Sequence, residues 1–340
     1  MELNILTSKI QKITALFPGI MLCTIIAAIA TCMGSLIPTV GAPLFGIILG
    51  IIANTFIFLD NSFSPGIAFS GKKILQWAVI LLGFKLSTKT IVTTGLSCLP
   101  VIIATITVAL ATAFLVFKAF KIPEDQAILI GIGSCICGGS AIAAGAATIN
   151  AKKEDITISL GVIFLFNIIA ALIFPALGDS IHLSNAGFAL FAGTAVNDTS
   201  SVTATALAWD QIHQSNILGL ATAVKLTRTL AIIPITLILG IVKKRQTKES
   251  LQLKGLFPTF ILYFLMASAI SSYFTLSPAT LGAISESSSF LIVMAMGAIG
   301  LNTRPKSLIT NAKKPILMGL IIWINIIITS LAVQWMIGIN

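Results

Sequence analysis

The sequence predicts an all-α integral membrane protein, and three observations carry the prediction. Apolar runs long enough to span hydrocarbon recur from end to end, and charge is concentrated in the short connections between them. Two polar, glycine-rich stretches then interrupt the pattern as gapless copies of one another, shifted by 60 residues. Of 340 residues, 56% are hydrophobic and 9% charged, with a mean hydropathy of +1.03. A water-soluble fold would have too little polar surface to cover that apolar mass.

Spanning a bilayer takes about 20 predominantly apolar residues. The first such run, 17–37, follows Lys9 and Lys12 as a signal sequence would, but a polytopic chain retains such a segment as its first span. The second, 42–59, carries the Gly46-x-x-x-Gly50 step that lets helix backbones approach closely. Runs 70–86 and 99–120 follow, then the first interrupted stretch, 126–150. Run 156–178 separates it from the second, 186–208; beyond lie 214–242, 256–274, 281–301 and 313–338. No stretch is left for a soluble domain. Pro18, Pro43, Pro123, Pro258 and Pro315 fall at or just before predicted helix starts, where a missing N–H costs least. Pro175 and Pro234 fall inside apolar runs and should kink or end a helix.

The net charge of +10 does not indicate nucleic-acid binding, because the lysines and arginines sit in short connections and form no single basic face. They read as topology determinants. The heaviest cluster, Lys243, Lys244, Arg245, Lys248 and Lys254, is placed on the cytoplasmic side, and counting spans outward puts the N-terminus there too. If both interrupted stretches turn back as re-entrant hairpins, Lys152 and Lys153 also lie inside, and only Lys85 and Lys89 lie outside. That arrangement is favoured over crossing segments. The choice makes nine or eleven crossings.

The two interrupted stretches align residue for residue: Gly133 to Ala146 on Gly193 to Ala206. A second similarity relates Leu86-Ser87-Thr88-Lys89 to Leu301-Asn302-Thr303-Arg304, Pro100 to Pro315 and Pro43 to Pro258. Residues 42–120 and 256–338 thus read as outer repeat units, and 126–178 and 186–242 as inner ones. Hairpins invert the inner units as well as the outer, so one two-fold axis relates everything. Paired broken segments in corresponding places mark the binding site of a secondary transporter, because unwound backbone is tolerated in a membrane where it lines a cavity. The expected architecture is therefore an inverted-repeat secondary-transporter fold with two broken or re-entrant helical segments meeting near the bilayer midplane.

Cys23, Cys32, Cys98, Cys135 and Cys137 are odd in number and lie in apolar surroundings, so free thiols are expected in place of a disulfide framework. Cys135 and Cys137 are too close in sequence for the usual zinc spacing, and His182 and His213 fall in loops; neither metal nor cofactor is expected. An integral-membrane enzyme using Cys137 or Ser140 as nucleophile lacks a histidine base beside it, and an enzyme is not expected. A passive channel is the other alternative, which conductance far above carrier turnover would reveal.

Charge inside the apolar runs carries the functional reading. Lys225 and Arg228 lie mid-run in 214–242, three residues apart and so on one helix face. Arg228 would be roughly 20 Å from either end of a continuous helix, too far to snorkel. A cation at the bilayer centre costs about 2.5–3.5 kcal/mol on insertion scales, so a partner or a wet cavity is required. An ion pair with Asp198 or Glu286 is one solution; an anion-binding pair is the other. Asp198 is the only acid in either broken stretch, and it reads equally as the N-cap of a half-helix or as the carboxylate that loads a coupling sodium or proton. Helix N-termini meeting at mid-membrane would add backbone N–H donors for an anion, with Cys137, Gly138, Gly139, Ser140, Asn197, Thr199 and Ser200 lining the site.

Gly133-x-x-x-Ile136-Cys137-Gly138-Gly139-Ser140-Ala141-Ile142-Ala143-Ala144, Gly193-Thr194-Ala195-Val196-Asn197-Asp198-Thr199-Ser200, Lys225-Leu226-Thr227-Arg228 and Ala295-Met296-Gly297-x-x-Gly300-Leu301-x-Thr303 resemble, in that order, the signature blocks of the sulfate exporter family of bacterial membrane proteins. Gly83-Phe84-Lys85-Leu86 resembles a further block, in which arginine is common where this chain has Lys85. The resemblance covers nearly the whole chain. It implies a multi-pass protein of the bacterial inner membrane related to inverted-repeat transporters, an oxyanion such as sulfate or sulfite as substrate, and supporting roles for Lys85, Gly297, Asn302 and Thr303. Similar transporters form homodimers, which extends that expectation here. Efflux of an anion from a negative-inside cell needs no coupling ion, since each charge gains about 2.3 kcal/mol per 100 mV. The expected partners are a small anion, the lipid bilayer and, under the cation-coupled alternative, a proton or sodium.

Overall fold

The computed structural model describes residues 2–37, 42–56, 60–247, 259–274, 276–302 and 312–339. They are almost wholly helical, with no strand among the described residues. In chain order come α1 (Glu2–Leu36), α2 (Ala42–Phe56), α3 (Ser64–Phe69), α4 (Leu75–Gly83), α5 (Thr88–Phe120), α6 (Glu124–Cys135), α7 (Gly139–Ile149) and α8 (Lys153–Ser180). There follow α9 (Asn185–Ala195), α10 (Thr199–His213), α11 (Leu218–Thr229), α12 (Ile232–Thr247), α13 (Thr259–Tyr273), α14 (Pro278–Asn302) and α15 (Lys313–Met336). A 3-10 turn, Asn61–Phe63, precedes α3, and a π turn, Ser70–Ile74, joins α3 to α4.

Six helical segments among the described residues are long and apolar enough to cross a membrane: Thr14–Leu36, Thr88–Phe120, Glu154–Ser180, Leu218–Val242, Pro278–Asn302 and Lys313–Met336. The burial pattern reverses that of a soluble helix. On α1, Phe17, Met21, Ile25 and Ile29 form an exposed apolar stripe at four-residue spacing, while Cys23, Ala27 and Ala30 are buried. The outward stripe suits hydrocarbon.

The chain divides into two compact units. The first comprises residues 1–87, 207–216 and 263–304. Its most extensive packing is α2 against α14. A Cβ on Gly50 would lie 2.4 Å from the Gly297 carbonyl oxygen, and one on Gly300 would lie 2.3 Å from that of Ile47. The Gly46/Gly50 step thus meets a glycine-bearing face of α14. Ser268 and Ser271 of α13 donate to the carbonyls of Leu86 and Phe84, at 2.7 and 2.6 Å, holding the turn that follows α4.

The second unit comprises residues 88–206, 217–262 and 305–340. Here α6 and α7 fold back on each other as a helical hairpin: positions 145 and 132 lie side by side, as do 133 and 142. Hairpin α6–α7 packs on α8, α11 packs on α9, α12 packs on α7, and α15 covers α5, α6, α8 and α9. Phe166 and Phe174 of α8, Phe191 of α9 and Trp323 of α15 form an aromatic cluster with ring centroids 4.6 to 5.5 Å apart. Cys98, Val101 and Ile102 of α5 pack with Leu190 and Val224, fixing α9 and α11 on that helix.

Proline positions show where local expectation and structure part. Pro43 and Pro315 lie in the first turns of α2 and α15, and Pro123 caps α6, as expected. Pro18, however, lies within α1, because that helix extends back to Glu2 through a polar segment. Pro100 lies within α5, which starts at Thr88 and not near 99. Pro175 does not end α8, which runs to Ser180. Pro234 does act as a breaker: its ring opposes the carbonyl four residues back, at Leu230, and the run 214–242 is split there into α11 and α12. Pro258 lies outside the described residues.

Candidate functional site

Both interrupted stretches break where the sequence is richest in glycine and small polar residues. Helix α6 ends at Cys135, and Gly138 returns its N–H to the carbonyl of Gly133 at 2.9 Å. At φ +67° and ψ −125°, Gly138 occupies backbone space open to glycine alone, and α7 starts at the next residue. Helix α9 ends at Ala195, Val196 is extended, and α10 starts at Thr199. Asp198 donates its N–H to Oδ1 of Asn167, on α8, at 3.3 Å.

Each half-helix that stops at a break leaves its last carbonyls without intrahelical partners, at the negative end of its dipole. Lys225 and Arg228, both wholly buried, answer them. The Lys225 ammonium donates to the carbonyls of Ile136 at 2.8 Å and Val196 at 2.9 Å. Arg228 donates through Nε to Cys135 at 2.8 Å, through Nη2 to Ser134 at 2.6 Å, and through Nη1 to Thr194. Ile136 and Val196 are equivalent under the 60-residue shift, and so are Ser134 and Thr194. Each cation therefore bridges matching atoms of the two breaks.

That geometry answers the question of a partner for the two charges. Helix α11 ends at Thr229, so Arg228 sits in the last turn of a 12-residue helix and not in the middle of a long one. The cations contact the carbonyl ends of α6 and α9, partners that neither the ion pair with Asp198 or Glu286 nor the anion-binding pair includes. Five carbonyls that the breaks strip of partners outcompete other acceptors for the same donors.

Asp198 is the N-cap of α10. Its Oδ2 accepts from the Ser200 N–H at 3.1 Å and from the Ser200 hydroxyl. The α7 N-terminus has no such cap, since Gly138 carries no side chain. The two tips touch there: a Cβ built on Gly138 would be 3.0 Å from Cβ and 3.4 Å from Oδ1 of Asp198. The N-terminal ends of α7 and α10 thus lie beside each other, one capped by the carboxylate of its N-cap residue and one whose N-cap glycine offers no side chain. Cys137, Asn197, Thr199 and Ser200 are buried at this junction, Gly139 is half-buried, and Ser140 is exposed on the first turn of α7.

The expected supporting residues belong to the first unit. There Lys85 donates to Asn216 Oδ1 at 3.0 Å and Ser285 Oγ at 2.9 Å, Gly297 is buried in α14, and Asn302 is exposed at its end. Thr303 lies outside the described residues. Sequence reasoning missed Asn167, whose signal was a lone amide in the run 156–178. It also missed the carbonyl acceptors, which carry no side-chain signature. No cluster of three or more His, Cys, Asp or Glu side chains suited to a metal occurs among the described residues.

Residues 18–319 match the family model described as conserved hypothetical protein 698. The chain is 52% identical to a UPF0324 membrane protein of Streptococcus agalactiae serotype V, over 94% of this chain and 97% of that protein. It is 51% identical to one of Streptococcus pneumoniae, with the same coverage, and 49% identical to one of Fusobacterium nucleatum, over 94% of this chain and 98% of the relative.

Proposed function

The chain belongs to the conserved hypothetical protein 698 family of membrane proteins, and on that premise we propose that it is a secondary transporter moving a small oxyanion, of the sulfate or sulfite kind, by alternating access. The observation that carries the reading is the bridging of matching carbonyls in two helix breaks by Lys225 and Arg228. Broken backbone is retained at membrane depth where it lines a cavity or is buried in protein. Two basic side chains stand there against the single carboxylate of Asp198. The N-terminus of α7, without a side-chain cap, adds roughly half a unit of positive charge. The junction therefore favours a negative ligand, and the cations hold the carbonyl ends of α6 and α9 together at the two breaks.

In this reading the matched contacts reflect inverted repeats, with outer units 42–120 and 256–338 and inner units 126–178 and 186–242. The protein sits in the bacterial inner membrane as a homodimer with its N-terminus cytoplasmic, and binds neither cofactor nor nucleic acid. Net movement is efflux, driven by the membrane potential. The test is flux of labelled sulfate and sulfite in proteoliposomes. Lys225→Ala and Arg228→Ala should abolish flux, and parental rates in both would sink the reading.

A second reading rests on Asp198. Its carboxylate stands at the same junction and accepts from the hydroxyl of Ser200, as a coupling sodium or proton site would require, while its backbone N–H is held by Asn167. Uptake that depends on sodium or pH in the parent, and loses that dependence in Asp198→Asn, would select it.

A further inference from the structure

The polar side chains around the two tips are not all satisfied. Among the described residues, Asn167 Nδ2, Asn197 Oδ1 and Ser134 Oγ are buried without a hydrogen-bond partner. All three residues are more than nine-tenths buried, at 2%, 1% and 1% exposure. Ser159 Oγ, Trp323 Nε1 and both amide atoms of Gln334 are likewise without partners, but the first three belong to residues at, or bonded to, the two breaks. Asn167 Oδ1 accepts from the backbone N–H of Asp198, which places the Asn167 amide at the second break. Asn197 is the adjoining residue, and Ser134 gives its carbonyl to Arg228 at the first break. Helix α8 faces the same tip one turn earlier, through Leu160, Ile163 and Phe164 against positions 133 and 139. Buried polar groups normally find partners, and orphans gathered at one junction mark where a ligand supplies them.

Resting on the transport reading above, we propose that Asn167 and Asn197 contact the substrate directly, and that it is a singly charged, hydrogen-bearing oxyanion of the hydrogensulfite or hydrogencarbonate class. The pattern of orphaned atoms selects that class. The orphans are a donor on Asn167 and an acceptor on Asn197, so the complementary ligand offers an acceptor oxygen and a hydroxyl hydrogen. Ser134 Oγ, able to donate or accept, suits either oxygen.

The experiment is ligand binding to the purified full chain in detergent, read by thermal shift and microscale thermophoresis. The probes are potassium sulfite, bicarbonate, sulfate and chloride at fixed ionic strength, with sodium chloride as a cation control. Sulfite or bicarbonate should bind at least about tenfold tighter than sulfate, a difference of one well-made hydrogen bond. Sulfite binding should weaken as rising pH removes its proton. Asn167→Leu should weaken binding by about the same factor. Asn167→Asp, which keeps the acceptor for the Asp198 N–H and so the local fold, should abolish it. Sulfate binding as tightly as sulfite at every pH would overturn the assigned class while leaving anion transport standing. Parental affinity in both Asn167 variants would overturn the contact. Stabilisation by sodium alone, strengthened in Asn167→Asp, would overturn this assignment and the anion reading together.

Discussion

Gly138 and Asp198 lie in van der Waals contact, so close that a Cβ on the glycine would stand 3.0 Å from the aspartate's own. They are equivalent positions under the 60-residue shift, and they have opposite roles: one leaves a helix N-terminus without a side-chain cap, the other caps its counterpart. Gly138→Ala should therefore fail twice. Its φ of +67° is strained for any L side chain, at a cost of roughly 1–3 kcal/mol, and the new methyl presses on the α10 cap. Purified protein should show a lower melting temperature and little flux. An alanine variant as stable and active as the parent would refute the tight junction.

Arg228 is predicted to resist even conservative replacement. Its fork reaches three carbonyls on two different helices, a geometry that one ammonium cannot reproduce. Arg228→Lys keeps the charge but strands at least one buried carbonyl, each such loss costing about 1–3 kcal/mol. The expected result is a clear loss of thermal stability in Arg228→Lys and a larger one in Arg228→Ala. Melting curves in detergent check both.

Asp198 separates capping from ion loading. Asp198→Asn retains a side-chain oxygen for the Ser200 N–H and should keep most of the stability, whereas Asp198→Ala loses the cap and about 0.5–2 kcal/mol. If the carboxylate serves only as a cap, flux in Asp198→Asn stays near the parental rate. A rate that collapses in Asp198→Asn while the melting temperature holds would assign the charge a part in transport.

How much of this was legible in the sequence follows from what each element requires of its residues. The long spans were readable because lipid demands apolar residues at nearly every position, so α8, α14 and α15 fall close to where hydropathy put them, while α1 and α5 contain their predicted runs but begin earlier. The two breaks were readable because Gly138 and Asp198 are residue types that unwound backbone and helix starts select. Lys225 and Arg228 stood out as charges in an apolar run. Their partners did not, because backbone carbonyls look alike in sequence and only the fold decides which become stranded. Asn167 was passed over for a related reason: one amide in an apolar helix has no meaning until the Asp198 N–H is seen against it. Helix limits moved most where polar residues continued a helix beyond its apolar part, as at the start of α1, and where Pro234 cut a run in two.

The contact between α2 and α14 gives a graded prediction in the first unit, away from any ligand question. A methyl at Gly50 would overlap the Gly297 carbonyl at 2.4 Å, and one at Gly300 would overlap that of Ile47 at 2.3 Å. Backbone atoms cannot swing aside as a side-chain tip does, so the two helices would have to separate. At Gly46 the nearest atom, the Val293 carbonyl oxygen, is 3.0 Å away, and a shift of a few tenths of an ångström accommodates the methyl. Gly50→Ala and Gly300→Ala should each cost about 1–3 kcal/mol, the usual penalty of overpacking, with Gly46→Ala at the low end of that range or below it. The ranking can be read from melting temperatures of the three variants in detergent. Equal stability for all three would mean that α2 and α14 do not pack through their glycine faces.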